Sequence, residues 1–182
     1  MLEARKVLLG VTGSIAAYKA VELARGLGKR GLDVWVVMTS CATQYVGPLT
    51  FRALTRHPVA CGAFAEQEPE TYTHLGLTEG AAAMVVAPCS AQTLARLAHG
   101  FADDVLSCAA LSLAAPLIVA PAMNVRMWNH AAVKENVAVL KRRGAIFVEP
   151  GTGELACGDV GEGRLADVAE ILRAVEAAVS AG

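Results

Sequence analysis

Val7-Leu8-Leu9-Gly10-Val11-Thr12-Gly13-Ser14 is the stretch that decides the fold. A short, continuous apolar run that breaks on hydroxyl, glycine and hydroxyl reads as a buried parallel strand and its turn. A helix-like segment follows and closes at Lys29-Arg30-Gly31, basic residues and then a glycine stop. Further out the rhythm repeats. Val34-Trp35-Val36-Val37-Met38 ends in Thr39-Ser40, after which residues 40–46 and 48–56 can each start a helix. Residues 83–87 read as a strand that stops before Pro88-Cys89-Ser90, with a helix from Ala91 to about His99. Asp103 and Asp104 are expected in the first turn of another helix ending near Ala114. Leu117-Ile118-Val119-Ala120 is a strand, Val133, Val137 and Leu140 keep helical spacing, and Ile146-Phe147-Val148 is a strand. A closing helix carries Val168, Ile171, Leu172, Val175 and Val179 on one face. Residues 57–80 show no clear period, and Glu66, Glu68, Pro69 and Glu70 mark an exposed loop. Strands alternating with helices in this way predict an α/β, doubly wound parallel sheet in three layers.

With 182 residues the chain has room for one sizeable core, so residues 1–182 are read as one domain. Hydrophobic residues make up 54% and aromatics 5%, an Ala, Val and Leu content suited to buried strands under Ala-rich helices. The net charge of −1, with acids and bases interspersed, offers no basic stripe for nucleic acid and no polybasic run for a membrane. The longest apolar segments are interrupted by Pro88 and Pro116 and are too short to cross a bilayer. The first residues run straight into a strand without the apolar region of a signal peptide, so a cytoplasmic protein is expected. Five cysteines without a Cys-x-x-Cys pair suit neither a disulfide framework nor zinc, and no metal is expected.

In doubly wound sheets ligands bind at the carboxyl ends of the strands. Three of these ends carry small and hydroxyl residues: Thr12-Gly13-Ser14, Thr39-Ser40 and Ser90-Ala91-Gln92-Thr93. A glycine lets backbone approach a ligand, and hydroxyls with free N–H groups at a helix start seat a phosphate. Each serine read alone serves equally well as a helix N-cap. The spacing departs from Gly-x-Gly-x-x-Gly and no acid ends the second strand, which disfavours a dinucleotide and favours a mononucleotide. A fourth strand end, Pro121-Ala122-Met123-Asn124-Val125-Arg126-Met127-Trp128, presents Asn124, whose amide can hold a carboxylate without protonating it. The bland reading makes Asn124 a helix cap and Met123, Met127 and Trp128 packing groups, and both readings can hold together. Residues 151–163 contain five glycines, the composition of a mobile flap, and Cys157 lies in it. His74 follows the unreadable loop, where a histidine is more often a surface or capping residue than a catalyst.

At Pro-Ala-Met-Asn-x-x-Met-Trp and Ala-Cys-Gly-Asp-x-Gly-x-Gly-Arg the sequence resembles the homo-oligomeric flavin-containing cysteine decarboxylases. Residues 13–19 resemble that family's first loop, His74 its histidine motif and residues 87–93 its flavin loop. The resemblance covers nearly the whole chain and implies a Rossmann/flavodoxin-like fold. It implies FMN held by Gly13, Ser14, Ile15, Thr39, Ser40, Ser90, Ala91, Gln92, Thr93 and Ala122. It also implies three catalytic residues: Asn124 on the substrate carboxylate, His74 assisting the first oxidation, and Cys157 as proton donor. The substrate would be held by Asn124, Met127, Ala156 and Arg164 beneath a flap over residues 150–165. Within the family the flap favours 4′-phosphopantothenoylcysteine, a precursor of coenzyme A, over a peptide's C-terminal cysteine. The implied chemistry oxidises the thiol to a thioaldehyde, releases CO2 to give an ene-thiolate, and re-reduces it to 4′-phosphopantetheine. A homotrimer or a dodecamer of trimers is implied, standing alone or joined to a phosphopantothenate–cysteine ligase. Cys89 and Gln92 depart from the Ala and Asn common in relatives, and residues 77–80 lack a Trp-Ala-Asp.

Overall fold

The protein is described from a computed structural model covering residues 5–62, 74–154, 158 and 160–181. The first unit is β1 (Lys6–Val11), α1 (Ala17–Lys29) and β2 (Asp33–Met38). The next is α2 (Pro48–Thr55), with Pro48 in its first turn, and a short edge strand β3 (Val59–Cys61). After it come α3 (His74–Thr78), β4 (Ala81–Cys89), α4 (Ala91–His99), α5 (Val105–Ser112) and β5 (Leu117–Pro121). The chain continues as α6 (Val125–Trp128), α7 (Ala131–Arg142), β6 (Ile146–Phe147), β7 (Gly151–Glu154), β8 (Val160–Arg164) and α8 (Val168–Ala181). Six parallel strands lie in the order β3-β2-β1-β4-β5-β6. Winding leaves β1 in one direction through α1 and α2 and resumes from β4 in the other. The switch point between β1 and β4 is where such a sheet opens a crevice for a ligand.

Alternation along the strands builds the three layers. Val7, Leu9 and Val11 face one side with α1, Phe51 of α2 and α8, together with Val85, Ala87, Ile118 and Ala120. Leu8, Met84, Val86 and Val119 face the other with Leu77 of α3, Leu94 of α4, Leu106 of α5 and Leu140 of α7. Burying strands on both faces explains why they read as unbroken apolar runs.

Several local expectations are corrected. β4 does not stop at Ala87; it runs through a cis Ala87–Pro88 bond, and Cys89 pairs with Pro121 after a register shift that absorbs the proline's missing donor. Asp104 does not enter the helical turn but caps it, accepting from the Ser107 N–H at 2.7 Å, while the Ser107 hydroxyl lies 3.2 Å from the Asp104 N–H. Residues 40–46 form only a 3-10 turn over Ala42–Gln44. β3 and α3 were hidden in the stretch without period.

The glycine-rich segment read as a loose flap has ordered flanks: β7 and β8 form an antiparallel ribbon. Gly163 sits at φ +145°, and its carbonyl accepts from the Met123 N–H at 2.9 Å. A side chain there would bring a Cβ to 2.4 Å from the Met123 carbonyl oxygen. This contact fastens the ribbon to the exit of β5. Gly163→Ala is expected to lower stability by about 1–3 kcal/mol, the usual cost of holding a non-glycine residue in such a conformation. The loss would appear as a lower urea midpoint at unchanged slope; an unchanged midpoint would show that the ribbon does not depend on this contact.

Candidate functional site

At the carboxyl ends of β1, β4 and β5 lies a cavity of about 800 Å3, within the range of small-molecule and cofactor sites. Its frame is set by one buried hydroxyl. Thr12, fully inaccessible, donates from Oγ1 to the Pro88 carbonyl at 2.7 Å and accepts from the Ser90 N–H at 2.9 Å. That pair of bonds holds the exits of β1 and β4 together. Gly13 then passes so close to the exit of β2 that a Cβ would lie 2.5 Å from Cys41 Cβ. The turn continues through Ser14, whose hydroxyl accepts from the Ala16 N–H at 3.2 Å and whose carbonyl accepts from Ala17 at 2.9 Å. Ser14 is thus a turn residue three positions before α1; Ala16 makes no side-chain cap, the Ala17 and Lys19 N–H groups bond the Ser14 and Ala16 carbonyls, and Ala16, Tyr18 and Lys19 line the cavity.

On the opposite wall Ser90 caps α4, accepting from the Thr93 N–H at 3.3 Å and standing 3.2 Å from the Thr93 hydroxyl. Both readings of Ser90 hold: it is an N-cap and it lines the cavity. Asn124 caps α6, its Oδ1 accepting from the Arg126 N–H at 2.8 Å. That bond fixes the orientation of the Asn124 amide. Met127, one turn along, is 47% exposed at the cavity mouth, while Trp128 behind it is buried under the Lys134 ammonium.

Of the expected flavin residues, Gly13, Ser14, Ile15, Ser90, Ala91 and Ala122 line the cavity, and so do Asn124, Met127 and Arg164 of the expected substrate residues. Thr39, Ser40, Gln92 and Thr93 do not. Thr39 is buried with its hydroxyl accepting from the Ala42 N–H at 3.2 Å, Thr93 is buried in the α4 cap, and Gln92 and Ser40 are exposed. Ala156 and Cys157 lie outside the described residues, in the connection between β7 and β8. His74 opens α3, on the layer opposite α1 and α8. The far end of that helix is held at the start of β1, where Lys6 Nζ reaches the Gly76 and Glu79 carbonyls at 2.9 and 3.1 Å. The described residues of α3 do not line the cavity.

Sequence reasoning named Thr12 only as part of a hydroxyl-rich turn, and missed the lining roles of Tyr18, Lys19, Met123 and Leu165. For Tyr18 and Lys19 a signal existed, since both fall one helical turn beyond the glycine loop. Among the described lining residues Lys19 and Arg164 are the charged groups, both cationic, and neither forms an ion pair among the described residues. Cys89 lies directly before Ser90 and is fully buried, which pushes its thiol far above the ordinary range and keeps it neutral.

Small residues at the strand ends, a helix start and, among the described lining residues, a cationic charge set fit an anionic, flat ligand. Comparisons with known proteins agree. The chain is 46% identical over 176 residues to the coenzyme A biosynthesis bifunctional protein CoaBC of Bacillus subtilis, covering 97% of this chain and 43% of that protein. It thus spans less than half the length of that relative. It is 44% identical over 174 residues to a probable phosphopantothenoylcysteine decarboxylase of Streptococcus mutans, covering 94% of this chain and 97% of that one. Among solved structures, a PPC decarboxylase cysteine-to-serine mutant complexed with pantothenoylaminoethenethiol superposes with a TM-score of 0.83 at 30% identity, over 96% of this chain and 97% of that one. The FMN-dependent cysteine decarboxylase SpaF superposes with a TM-score of 0.82 at 32% identity, over 98% and 99%. Residues 1–180 match the flavoprotein family, and the chain belongs to it.

Proposed function

We propose that this chain binds FMN and decarboxylates 4′-phosphopantothenoylcysteine to 4′-phosphopantetheine and CO2, in the cytoplasm, as a step of coenzyme A biosynthesis. The observation that carries the reading is the pairing, in one cavity, of the α1 start with a capped Asn124 and, among the described lining residues, two cations and no acid. The names of the Bacillus and Streptococcus relatives point the same way.

FMN would lie against Gly13, Ser14, Ile15, Ser90, Ala91 and Ala122, with Thr39, Ser40, Gln92 and Thr93 supporting those turns from behind. When bound, it supplies the two-electron exchange that makes the substrate's thiol carbon able to accept the charge left by CO2. The chain's own residues do the rest. Asn124 holds the carboxylate by donation, so the group stays ionised, as loss of CO2 requires, and stays oriented. Its rigidity comes from the cap to Arg126. Lys19 and Arg164 offset the negative charge of a phosphorylated ligand in a lining that is otherwise largely apolar. Ala156 and Cys157, in the connection of the ribbon, would close over the substrate, with the Cys157 thiol giving the proton that completes the product.

His74 is assigned to the first oxidation from a neighbouring copy of the chain. What supports this is the position of α3 on the layer facing away from α1, which keeps the described part of the helix off the chain's own cavity. A homotrimer, alone or gathered into a dodecamer, would bring the helix of one copy to the cavity of the next. The ligase that makes the substrate would be joined to this domain or associated with it.

Mass spectrometry of the product formed from 4′-phosphopantothenoylcysteine, without added oxidant, tests the reaction. 4′-Phosphopantetheine is expected from the native chain, and a decarboxylated ene-thiol lacking two hydrogens from Cys157→Ser. Unchanged substrate with FMN retained would refute the substrate assignment. A complementation assay tests the shared site: His74→Asn and Asn124→Asp, each reduced to a low residual rate alone, are expected to regain activity when their subunits are co-assembled. No recovery would place His74 and Asn124 in the same chain's site.

A further inference from the structure

α3 is only five residues long, and its amino end carries His74. A helix this short does not hold itself; its position depends on what grips it. Leu77, 1% exposed, anchors one side in the core. The other anchor is Lys6 at the start of β1, whose ammonium donates to the Gly76 carbonyl at 2.9 Å and the Glu79 carbonyl at 3.1 Å. These are groups at the carboxyl end of the helix, where its negative pole lies.

Lys6 is itself held. Its Nζ lies 4.9 Å from the centre of the Trp35 ring on β2. Trp35 donates from Nε1 to Asp33 Oδ2 at 2.8 Å and stacks on His57, with ring centres 4.1 Å apart and planes 18° from parallel. His57 Nε2 completes the set at 2.6 Å from Asp33 Oδ1. Asp33 opposes Lys6 in the β1–β2 register, so the platform is built from the first residues of two central strands and the turn before β3. Burial draws the pKa of Lys6 below its ordinary value, and the nearby Asp33 and Glu79 carboxylates oppose that shift.

We propose that Lys6 is a positioning residue for the decarboxylation: by gripping the carboxyl end of α3 on the Trp35–His57–Asp33 platform, it fixes the helix that presents His74. The inference rests on the reading of His74 as a catalytic group. Because α3 is only five residues long, displacement of its held end reaches His74 at the other, and a misplacement of about 1 Å can cost on the order of a hundredfold in rate.

A double-mutant cycle on the FMN-loaded full chain tests it, comparing the native chain, Lys6→Met, His74→Asn and the double variant for kcat, KM and flavin absorbance. Lys6→Met is expected to lower kcat by roughly tenfold or more, with KM and flavin content unchanged and with most of the rate restored in Lys6→Arg. In the His74→Asn background the same change is expected to have no further effect on the residual rate. If Lys6→Met loses its flavin, Lys6→Gln, which keeps a donor on a shorter stem, runs the same cycle. Equal loss with and without His74 would make Lys6 merely structural and overturn the proposal, as would an unchanged kcat in Lys6→Met. A native rate in His74→Asn alone would instead overturn the catalytic assignment of His74, and the positioning role with it.

Discussion

The hydroxyl of Thr12 is the point on which the site depends. A parallel sheet wound in both directions must part its crossovers somewhere, and here they part between β1 and β4. Nothing in the ladder itself closes that gap, because the register of the two strands ends at Gly10 and Val86. Thr12 spans the remainder with a donated bond to Pro88 and an accepted bond from Ser90. With both partners buried or half-buried, loss of the hydroxyl would strand two backbone groups at a cost of about 1–3 kcal/mol each. It would also release the two turns that form facing walls of the cavity. A serine could make the same bonds, but threonine's branched side chain has fewer rotamers to lose in a fully enclosed position.

A second constraint is steric and lies at the β5 exit. Gly163 can approach the Met123 carbonyl because it has no side chain, and Gly161 comes near enough to Val125 that a Cβ would be 2.8 Å from its Cγ2. Close passage lets the ribbon lie directly on the segment that contains Asn124. One consequence is that Asn124 and Arg164 at the end of β8 are held side by side on the cavity wall. The placement of Asn124 and of Arg164 in the cavity wall is therefore set by the same backbone contact.

The sheet was legible because central strands buried on both faces must be apolar without interruption, and residues 7–11, 34–38 and 117–120 obey that rule. The candidate cavity was legible for a related reason: hydroxyls and glycines at strand ends have no role in a core. Where the reading failed, a local rule was overridden by tertiary contacts. Pro88 looked like a strand terminator, yet β4 continues past it because the neighbouring strand β5 shifts register to meet Cys89. Thr39 and Thr93 are buried outside the cavity lining, each hydroxyl accepting a bond within its own turn. Glycines in residues 151–163 looked like looseness, whereas Gly161 and Gly163 are there for proximity. Composition cannot separate these two uses of glycine; only the neighbouring backbone does.

Net charge was equally uninformative about the site, and the reason is geometric. At −1 the chain has no long-range field to draw an anion. Several of the acids that balance its lysines and arginines are engaged away from the cavity: Asp103 and Asp104 with Arg96, Glu149 with Lys141, Glu176 with Arg30, Asp33 with Trp35 and His57. Among the described lining residues this leaves a locally cationic cavity inside a nearly neutral molecule. Attraction of a phosphorylated ligand is then a short-range matter of desolvated contacts, which ionic strength screens far less than it screens a surface field. The same arrangement favours an anion only when it fits, since Lys19 and Arg164 are of use to a charge that reaches the cavity and of little use to one that passes it.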